Sequence, residues 1–210
     1  MKVRHVRKKV GILGGSFNPA HDGHRYISLQ ALDLLGLDEV WWLVSPLNPL
    51  KEAKDMASYD RRIKIAQDVA AHPQIKVSRI EQEIGTRYTI DTLTKLKELY
   101  PDTAFVWLMG ADNLAQFSRW HRWRDIMRAV PVAVFARKHY ALKALHAYAA
   151  GVFGLYRLEP QDAPELAFCK PPAWVFLPIR KHPASSTEIR EKGLFHVEEN
   201  NAPPPPSQTV

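Results

Sequence analysis

The amino-acid sequence predicts an α/β fold, with a doubly wound, mainly parallel sheet that carries helices on both faces. Three observations lead to this prediction. Short apolar runs alternate with segments of helical periodicity along the chain. The run at residues 103–109, TAFVWLM, is almost continuously apolar, as expected for a strand that is covered on both faces. The first apolar run ends in a glycine-rich turn that leads directly into a helical segment.

The elements follow in order from the N-terminus. Residues 9–13 form the first predicted strand. The helix after the turn is predicted over residues 23–35, where Ile27, Ala31 and Leu35 recur on one face. Further strands are predicted at residues 39–45, 75–80, 103–109, 130–136 and 173–177, and further helices at residues 59–71 and 89–100.

Three parts are expected along the chain. Residues 1–8 form a basic extension, residues 9–198 a single domain, and residues 199–210 a disordered, proline-rich tail that cannot bury enough surface to fold. Within the domain, residues 138–170 are the least regular. The Ala- and Leu-rich stretch at 142–150 is compatible with a helix, and the glycines and prolines after it predict loops.

Composition excludes several classes of protein. A chain of 210 residues that is 46% hydrophobic is long enough to bury a core. Its single cysteine, Cys169, rules out an internal disulfide and fits a reducing compartment. No stretch approaches the roughly 20 apolar residues of a membrane span and no signal peptide is evident, so a cytoplasmic location is expected. The formal net charge of +7 suits an anionic partner without choosing among nucleic acid, a membrane and a phosphorylated small molecule.

The turn after the first strand, GGSFNPAHDGH at residues 14–24, carries the strongest chemical signal. It contains neither the G-x-G-x-x-G of dinucleotide-binding folds nor a P-loop, which removes the main support for a dehydrogenase or a P-loop NTPase. A glycine turn at a helix N-terminus still suits an anion, because free N–H groups and the helix dipole point at it. Gly14 and Gly15 are expected to let the backbone come close to a ligand.

His21 and His24 stand about one helical turn apart in this segment, so both imidazoles are expected on one side. An imidazole can donate a hydrogen bond to a phosphate oxygen and can follow negative charge as it builds in a transition state. The alternative is half of a zinc site. It is disfavoured because the lone cysteine supplies no thiolate cluster and the other histidines are not grouped with these two.

A second polar cluster, SSTEIR, lies near the other end of the chain and ends at Arg190. Ser185 followed by Glu188 fits a capping box, which would make the cluster an ordinary helix start. Arg190 favours another use, because it shares a helix face with Ser186 and Thr187. Two hydroxyls, free N–H groups and a guanidinium suit the binding of a polyphosphate.

These two segments resemble the signatures of the nucleotidylyltransferase superfamily, GG-x-F-(D/N)-P-x-H-x-GH and S-S/T-T-x-I/V-R, in the same order along the chain. Three elements between them are similar to those of bacterial nicotinate-nucleotide adenylyltransferases: RYTIDTL at residues 87–93, GADNL at 110–114 and FSRWHRWRDI at 117–126. The resemblance covers roughly residues 10–193 and implies a Rossmann-like nucleotidyltransferase fold.

For a member of this family, the resemblance implies transfer of the AMP moiety of ATP to nicotinate mononucleotide, giving deamido-NAD and pyrophosphate in NAD biosynthesis. The acceptor is itself a phosphate whose second pKa is about 6, so it is mostly dianionic at neutral pH and needs no general base. Catalysis is then in-line positioning with neutralisation of phosphate charge. Mg²⁺ is expected to arrive with ATP, held by phosphates and water rather than by a protein metal site.

The resemblance assigns His21, His24 and Arg190 to catalysis, with His24 stabilising the transition state. Lys51 matches a loop lysine of the family, although Leu50 replaces the histidine that usually precedes it. The full set implied for ATP is Gly14, Gly15, Ser16, Phe17, His21, His24, Lys51, Gly110, Asp112, Ser186, Thr187 and Arg190.

On the pyridine-nucleotide side, Trp120 is expected to stack on the ring from the start of a helix. The spacing of Trp120, Trp123 and Met127 also fits a buried helical stripe, and Trp123 is expected in the core. Arg137 lacks the Arg-Pro-Gly that often follows it in the family. The residues implied for nicotinate mononucleotide are Ser16, Asn48, Thr89, Trp120 and Arg137.

Three alternative functions stay open from the sequence. One carboxylate contact would decide between nicotinate and nicotinamide mononucleotide, and a phosphopantetheine acceptor fits the two terminal signatures. An RNA-binding module is the most distant alternative, because Arg119, Arg122 and Arg124 interleave with tryptophans. It leaves both terminal signatures unexplained, so no nucleic-acid or membrane partner is expected. The oligomeric state is open, with a homo-oligomer among the options.

Overall fold

The computed structural model describes residues 7–46, 56–136, 141–180 and 182–195. Their strands form one seven-stranded sheet in the order β3-β2-β1-β4-β5-β7-β6, and every neighbouring pair is parallel. The strands are β1 (Lys8–Gly15), β2 (Glu39–Val44), β3 (Ile75–Ser78), β4 (Thr103–Gly110), β5 (Val132–Phe135), β6 (Arg157–Leu158) and β7 (Trp174–Leu177).

Helices connect the strands, as parallel pairing requires. Within the described part of the chain, three 3₁₀ segments also lie between the strands: Phe117–Arg119, Gly154–Tyr156 and Pro160–Phe168. No helix in the described ranges has the length and apolar character needed to cross a membrane. The α-helices are α1 (Asp22–Leu34), α2 (Tyr59–Ala70), α3 (Ile80–Glu83), α4 (Thr89–Leu99), α5 (Ala111–Gln116), α6 (Trp123–Ala129), α7 (Ala141–Leu145), α8 (Tyr148–Val152) and α9 (Ser186–Glu191).

The core has two layers, one on each face of the sheet. Within β4, Val106 and Leu108 pack into one layer, and Phe105 and Trp107 into the other. Helices α1 and α2 contribute to the first layer, whereas α4 and α6 contribute to the second. This alternation explains the continuously apolar sequence of β4 and confirms the predicted doubly wound architecture.

The strand order changes direction between β1 and β4. From β1 the chain continues to β2 and β3 on one side, and from β4 to β5 on the other. In such sheets the carboxyl ends of the strands on either side of this point border a ligand-binding crevice. The glycine–histidine turn follows β1 at that edge, and the GADNL segment follows β4.

All six predicted strands are present, and the differences lie at their margins. The strand predicted at residues 75–80 ends at Ser78, whose hydroxyl accepts a hydrogen bond from the backbone N–H of Ile80 at the start of α3. The loops predicted after residue 150 are wrong, because 3₁₀ segments and the edge strand β6 occupy that region. The helix suggested at 142–150 is divided into α7 and α8. Most of the predicted extension and the whole tail lie outside the described residues.

Candidate active site

The turn between β1 and α1 is deeply buried and has an unusual backbone. Phe17 adopts the left-handed region with φ of 46°, which is uncommon for a residue other than glycine. Its side chain is buried and stacks on Trp42 with 5.0 Å between ring centroids. The Phe17 ring also packs against the ring of His24, with 4.8 Å between their centroids. The turn is therefore tied to β2 on one side and to α1 on the other.

The two histidines cap α1 with their own side chains. His21 Nδ1 accepts a hydrogen bond from the backbone N–H of Gly23 at 3.0 Å, and His24 Nδ1 accepts one from the N–H of His21 at 3.2 Å. The ring centroids are 3.9 Å apart, which confirms that both imidazoles lie on one side. Because each Nδ1 accepts a hydrogen bond, a neutral ring carries its proton on Nε2 and offers that N–H as a donor.

Two glycines of the turn are required for packing within the protein. A Cβ on Gly14 would lie 2.4 Å from Cη2 of Trp107 in β4. A Cβ on Gly23 would lie 2.8 Å from the His21 ring and 3.2 Å from the Ala184 carbonyl oxygen. Close approach of a ligand was the expected reason for Gly14, whereas the structure gives a reason inside the protein. Gly15 is less constrained, since its nearest contact would be the Phe17 ring at 3.5 Å.

Helix α9 is joined to this turn by side-chain hydrogen bonds. The Ser186 hydroxyl donates to the Pro19 carbonyl at 3.0 Å, and Arg190 Nη1 donates to the Asn18 carbonyl. The alternative of a capping box is not borne out, because the Ser185 side chain at the N-cap makes no capping hydrogen bond. The structure thus brings two residues of SSTEIR to the segment that carries the histidines. Thr187, from the same cluster, is exposed.

The GADNL segment lies at the carboxyl end of β4. Gly110 is both the last residue of β4 and the N-cap of α5. Asp112 stands in the first turn of α5 and is half-buried. Both residues are consequently on the crevice edge defined by the change in strand order.

Trp120 and Trp123 differ in their burial and in the backbone around them. Trp123 is in the core, as predicted. Trp120 ends the 3₁₀ segment in an extended conformation, so its predicted place at a helix start is wrong by three residues. The Trp120 ring meets those of Phe117 and Trp107 edge-on. Its indole N–H is buried and has no hydrogen-bond partner among the described residues.

Thr89 is the first residue of α4, and the segment around it reaches the tryptophan region. The ring of its neighbour Tyr88 lies 4.2 Å from that of His121, which follows Trp120 in the chain. Thr89 itself is half-buried. Three of the predicted residues, Asn48, Lys51 and Arg137, lie outside the described residues.

Two residues with large structural roles at this site were not predicted. Asn18 is buried, and its side-chain oxygen accepts a hydrogen bond from the N–H of Ala57 at 3.0 Å. Arg62 is 1% exposed and donates hydrogen bonds to backbone carbonyls around the turn. A sequence signal for Arg62 exists, because it lies four residues before the buried Ala66 on the apolar face of α2.

A doubly wound sheet with a histidine-capped helix at its crevice, joined to a distant serine–arginine helix, has the architecture of a nucleotidyltransferase. A family profile described as "Cytidylyltransferase-like" matches residues 12–192. Proteins named "Probable nicotinate-nucleotide adenylyltransferase" from Parvibaculum lavamentivorans and a Ruegeria species are 51% and 50% identical to this chain. The alignments cover 88% and 89% of this chain and 92% and 98% of those proteins. The chain therefore belongs to the nicotinate-nucleotide adenylyltransferase family.

The fold is also found in a solved structure of low sequence identity. The nicotinic acid mononucleotide adenylyltransferase of Plasmodium falciparum, complexed with NaAD, superimposes with a TM-score of 0.64 at 18% identity. The match covers 88% of this chain and 83% of the other. At this identity the likeness supports the nucleotidyltransferase fold. The names of the two bacterial relatives do not favour the phosphopantetheine or RNA-binding alternatives.

Proposed function

We propose that this protein transfers the AMP moiety of ATP to nicotinate mononucleotide, giving deamido-NAD and pyrophosphate. The observation that carries the proposal is the junction of α9 with the turn after β1. There Ser186 and Arg190 bond to the carbonyls of Pro19 and Asn18, beside the paired imidazoles of His21 and His24. Donors and cations thus gather at the crevice edge, and family membership supplies the reaction.

The reaction needs charge stabilisation more than proton transfer. The attacking group is a phosphate oxygen that is already mostly ionised at neutral pH, since its second pKa is about 6. The transition state places negative charge on the α-phosphate and on the leaving pyrophosphate. Aligned donors in a fixed arrangement lower its energy without reorganising during the reaction.

The two histidines supply such donors. Capping occupies Nδ1 of both rings. Their Nε2–H groups are proposed to donate to the phosphates of ATP. His24 is the proposed transition-state stabiliser because it is half-buried, whereas His21 is 6% exposed. The capping bonds fix both rings before the substrate arrives, which limits the entropy lost in the reaction.

Arg190 provides positive charge for the β- and γ-phosphates. A guanidinium carries five N–H donors, so the hydrogen bond to Asn18 leaves donors for phosphate oxygens. Ser186, Thr187 and Lys51 are proposed to assist it, and Asp112 is proposed to orient the adenosine ribose. The backbone groups proposed to line the nucleotide are those of Gly14, Gly15, Ser16, Phe17 and Gly110.

The pyridine nucleotide is proposed to bind along the other side of the crevice. Trp120 presents a half-buried ring there. Its indole N–H, which has no hydrogen-bond partner in the described ranges, is proposed as a donor for a substrate oxygen. Thr89, at the first turn of α4, is the proposed contact for the nicotinate carboxylate. Ser16, Asn48 and Arg137 complete the set carried over from the family resemblance.

ATP is proposed to enter as its magnesium complex. The metal would be held by phosphate oxygens and water, as is usual for Mg²⁺ bound to nucleotides. Within the described ranges, no group of three or more His, Cys, Asp and Glu side chains is arranged to hold a metal ion. A cytoplasmic site of action accords with the single cysteine of the chain.

Pyrophosphate release tests this function. The protein is incubated with Mg-ATP and, in separate reactions, with nicotinate mononucleotide, nicotinamide mononucleotide or phosphopantetheine. We expect release with the nicotinate substrate and at most weak release with the others. Release chiefly with nicotinamide mononucleotide would favour the amide-preferring alternative. If no acceptor gives pyrophosphate above a reaction without acceptor, the proposed function is wrong.

A further inference from the structure

Arg62 is a fully buried cation that binds four backbone carbonyls. From α2 its Nε donates to Ala57 at 3.1 Å, and its Nη1 donates to both Ser16 and Ser45 at 2.7 Å. Its Nη2 donates to Pro46 at 3.0 Å. Burying a guanidinium is unfavourable unless its N–H groups are bonded, and here all three nitrogens are used. One side chain therefore connects three separate backbone segments.

The three segments meet at the turn after β1, which carries residues of the proposed phosphate site. Ser16 belongs to the turn after β1, Ser45 and Pro46 follow the carboxyl end of β2, and Ala57 precedes α2. The segments at β1 and β2 meet directly as well, because the N–H of Ser45 donates to the Gly15 carbonyl at 2.9 Å. Arg62, which is buried, thus joins these backbone segments by hydrogen bonds.

Arg62 also stabilises the strained residue of the turn on both sides. The residue before Phe17 is bonded to Arg62 directly through the Ser16 carbonyl. The residue after it, Asn18, is held through Ala57, whose N–H donates to the Asn18 side chain and whose carbonyl accepts from Arg62. A left-handed backbone at Phe17 persists only if its surroundings hold it there.

The conformation of Phe17 affects the position of His24, because the two rings pack together with 4.8 Å between their centroids. We propose that Arg62 is a positioning residue for adenylyl transfer, which holds Phe17 in its left-handed conformation and so aligns His24 with the transferred phosphate. The inference rests on the proposed function. Arg62 is proposed to act through the turn and not by contact with the reacting atoms, because it is 1% exposed and its three nitrogens bond backbone carbonyls.

Two substitutions separate its geometry from its charge. Arg62→Lys keeps the positive charge but cannot bond three nitrogens to four carbonyls, and Arg62→Met removes both properties. Arg128→Lys and Arg128→Met are the matched controls, because Arg128 is exposed on α6 and pairs with Asp125 at the surface. Rates are measured at a temperature at which thermal melting shows each variant to be folded.

We expect kcat per folded molecule to fall about a hundred-fold in Arg62→Lys, as a displacement of about 1 Å at a catalytic group does. The KM for nicotinate mononucleotide should change less than kcat, since a misplaced His24 affects the transition state more than the ground state. Both Arg128 variants should retain wild-type values. Wild-type kcat in folded Arg62→Lys would overturn the proposal. If kcat then fell in Arg62→Met alone, the positive charge of residue 62 would be sufficient.

Amide hydrogen exchange tests the positioning role without reference to activity. The Ala57 N–H should exchange faster in Arg62→Lys, while the N–H of Leu93 in the core of α4 keeps its wild-type rate. Equal rates at Ala57 in both proteins, or a uniform increase at both positions, would contradict a local role. If the wild-type protein released no pyrophosphate, the proposed function would fail, and this measurement would still decide whether Arg62 holds the turn.

Discussion

Two helix starts meet at the candidate active site, and they are stabilised in different ways. The start of α1 lies in a buried turn and is capped by the imidazoles of His21 and His24. The start of α9 has no side-chain cap, and no residue of α9 is buried. Its attachment to the turn is polar, through Ser186 and Arg190.

The two modes of attachment imply different effects of substitution around α1 and around α9. Around α1, functional groups are fixed by packing in the protein core, so their substitution is expected to disturb both the fold and the reaction. Around α9, the hydrogen bonds are half-exposed and are worth about 1–3 kcal/mol each, including those to charged groups. Substitutions there are expected to impair the reaction while the fold is retained.

The largest effect is expected at His24. His24→Ala removes both the Nε2–H donor and the cap acceptor, and should lower kcat by about a thousand-fold, as loss of a transition-state donor can. His24→Asn is the matched variant, because its side-chain oxygen can still accept the N–H of His21. We expect Asn to restore thermal stability and to leave the reaction slow. Near-normal turnover in His24→Asn would contradict the role assigned to Nε2–H.

At Glu81, burial and a hydrogen bond have opposite effects on the pKa of the carboxyl group. Burial raises the pKa of Glu81 to about 7, although the Thr92 hydroxyl, which donates to it at 3.1 Å, opposes the rise. The folded-state pKa exceeds the usual value of 4.5, so the folded state binds an extra proton between pH 4.5 and 7. The free energy of unfolding should therefore fall as the pH rises through this range.

Glu81→Gln removes this ionisation and keeps an oxygen that can accept from Thr92. Relative to wild type, the variant should gain up to about 3 kcal/mol of stability above pH 7, with the difference vanishing near pH 4.5. Urea unfolding at pH 4.5, 6 and 8 measures it. A difference that does not depend on pH would show that Glu81 is not protonated preferentially in the folded state.

At Arg190 the effect should fall on substrate binding and rate rather than on the fold. Arg190→Met is expected to lower kcat/KM for ATP by about thirty-fold, since a hydrogen bond to a charged group is worth about 2 kcal/mol. The melting temperature should stay close to that of wild type because no residue of α9 is buried. Arg190→Lys should recover part of the rate through its charge. A large decrease in melting temperature would show that α9 is integral to the fold.

The smallest effect is expected at the two serines. Ser186→Ala removes the hydrogen bond to Pro19 and should lower kcat/KM for ATP about five-fold. Ser185→Ala is its neighbouring control and should change neither rate nor stability, because the Ser185 side chain makes no capping hydrogen bond. A loss of stability in Ser185→Ala would indicate that Ser185 does cap α9, as the capping-box alternative holds.

Most of the sheet was predictable because local patterns determine it. Long apolar runs such as residues 103–109 are buried on both faces, and helical periodicity identified α1, α2 and α4. Strand β6 was not predictable, because a two-residue edge strand contains no pattern to recognise. Trp120 and Trp123 mark a similar limit. Their helical spacing did not reveal that a 3₁₀ segment ends just before Trp120 and that α6 begins only at Trp123.

The candidate site divides in the same way. The motifs containing His21, His24 and Arg190 were identifiable in the sequence, since their residue types and spacing carry the chemistry of phosphate binding. Their partners were not. The sequence left a cap from Ser185 open, suggested a ligand beside Gly14 and gave no role to Arg62. In the structure Ser185 makes no capping hydrogen bond, and long-range contacts pack Gly14 against Trp107 and join Arg62 to the turn.

The sequence by itself therefore determined the fold class, the two polar motifs and the family, because periodicity and residue type are local properties of a chain. Tertiary structure alone decided which groups meet. The hydrogen bond from Arg190 to Asn18 joins residues that are 172 positions apart, and that from Arg62 to Ser16 joins residues 46 positions apart. Contacts of this kind depend on how the strands are ordered in the sheet, and no short segment of sequence records that order.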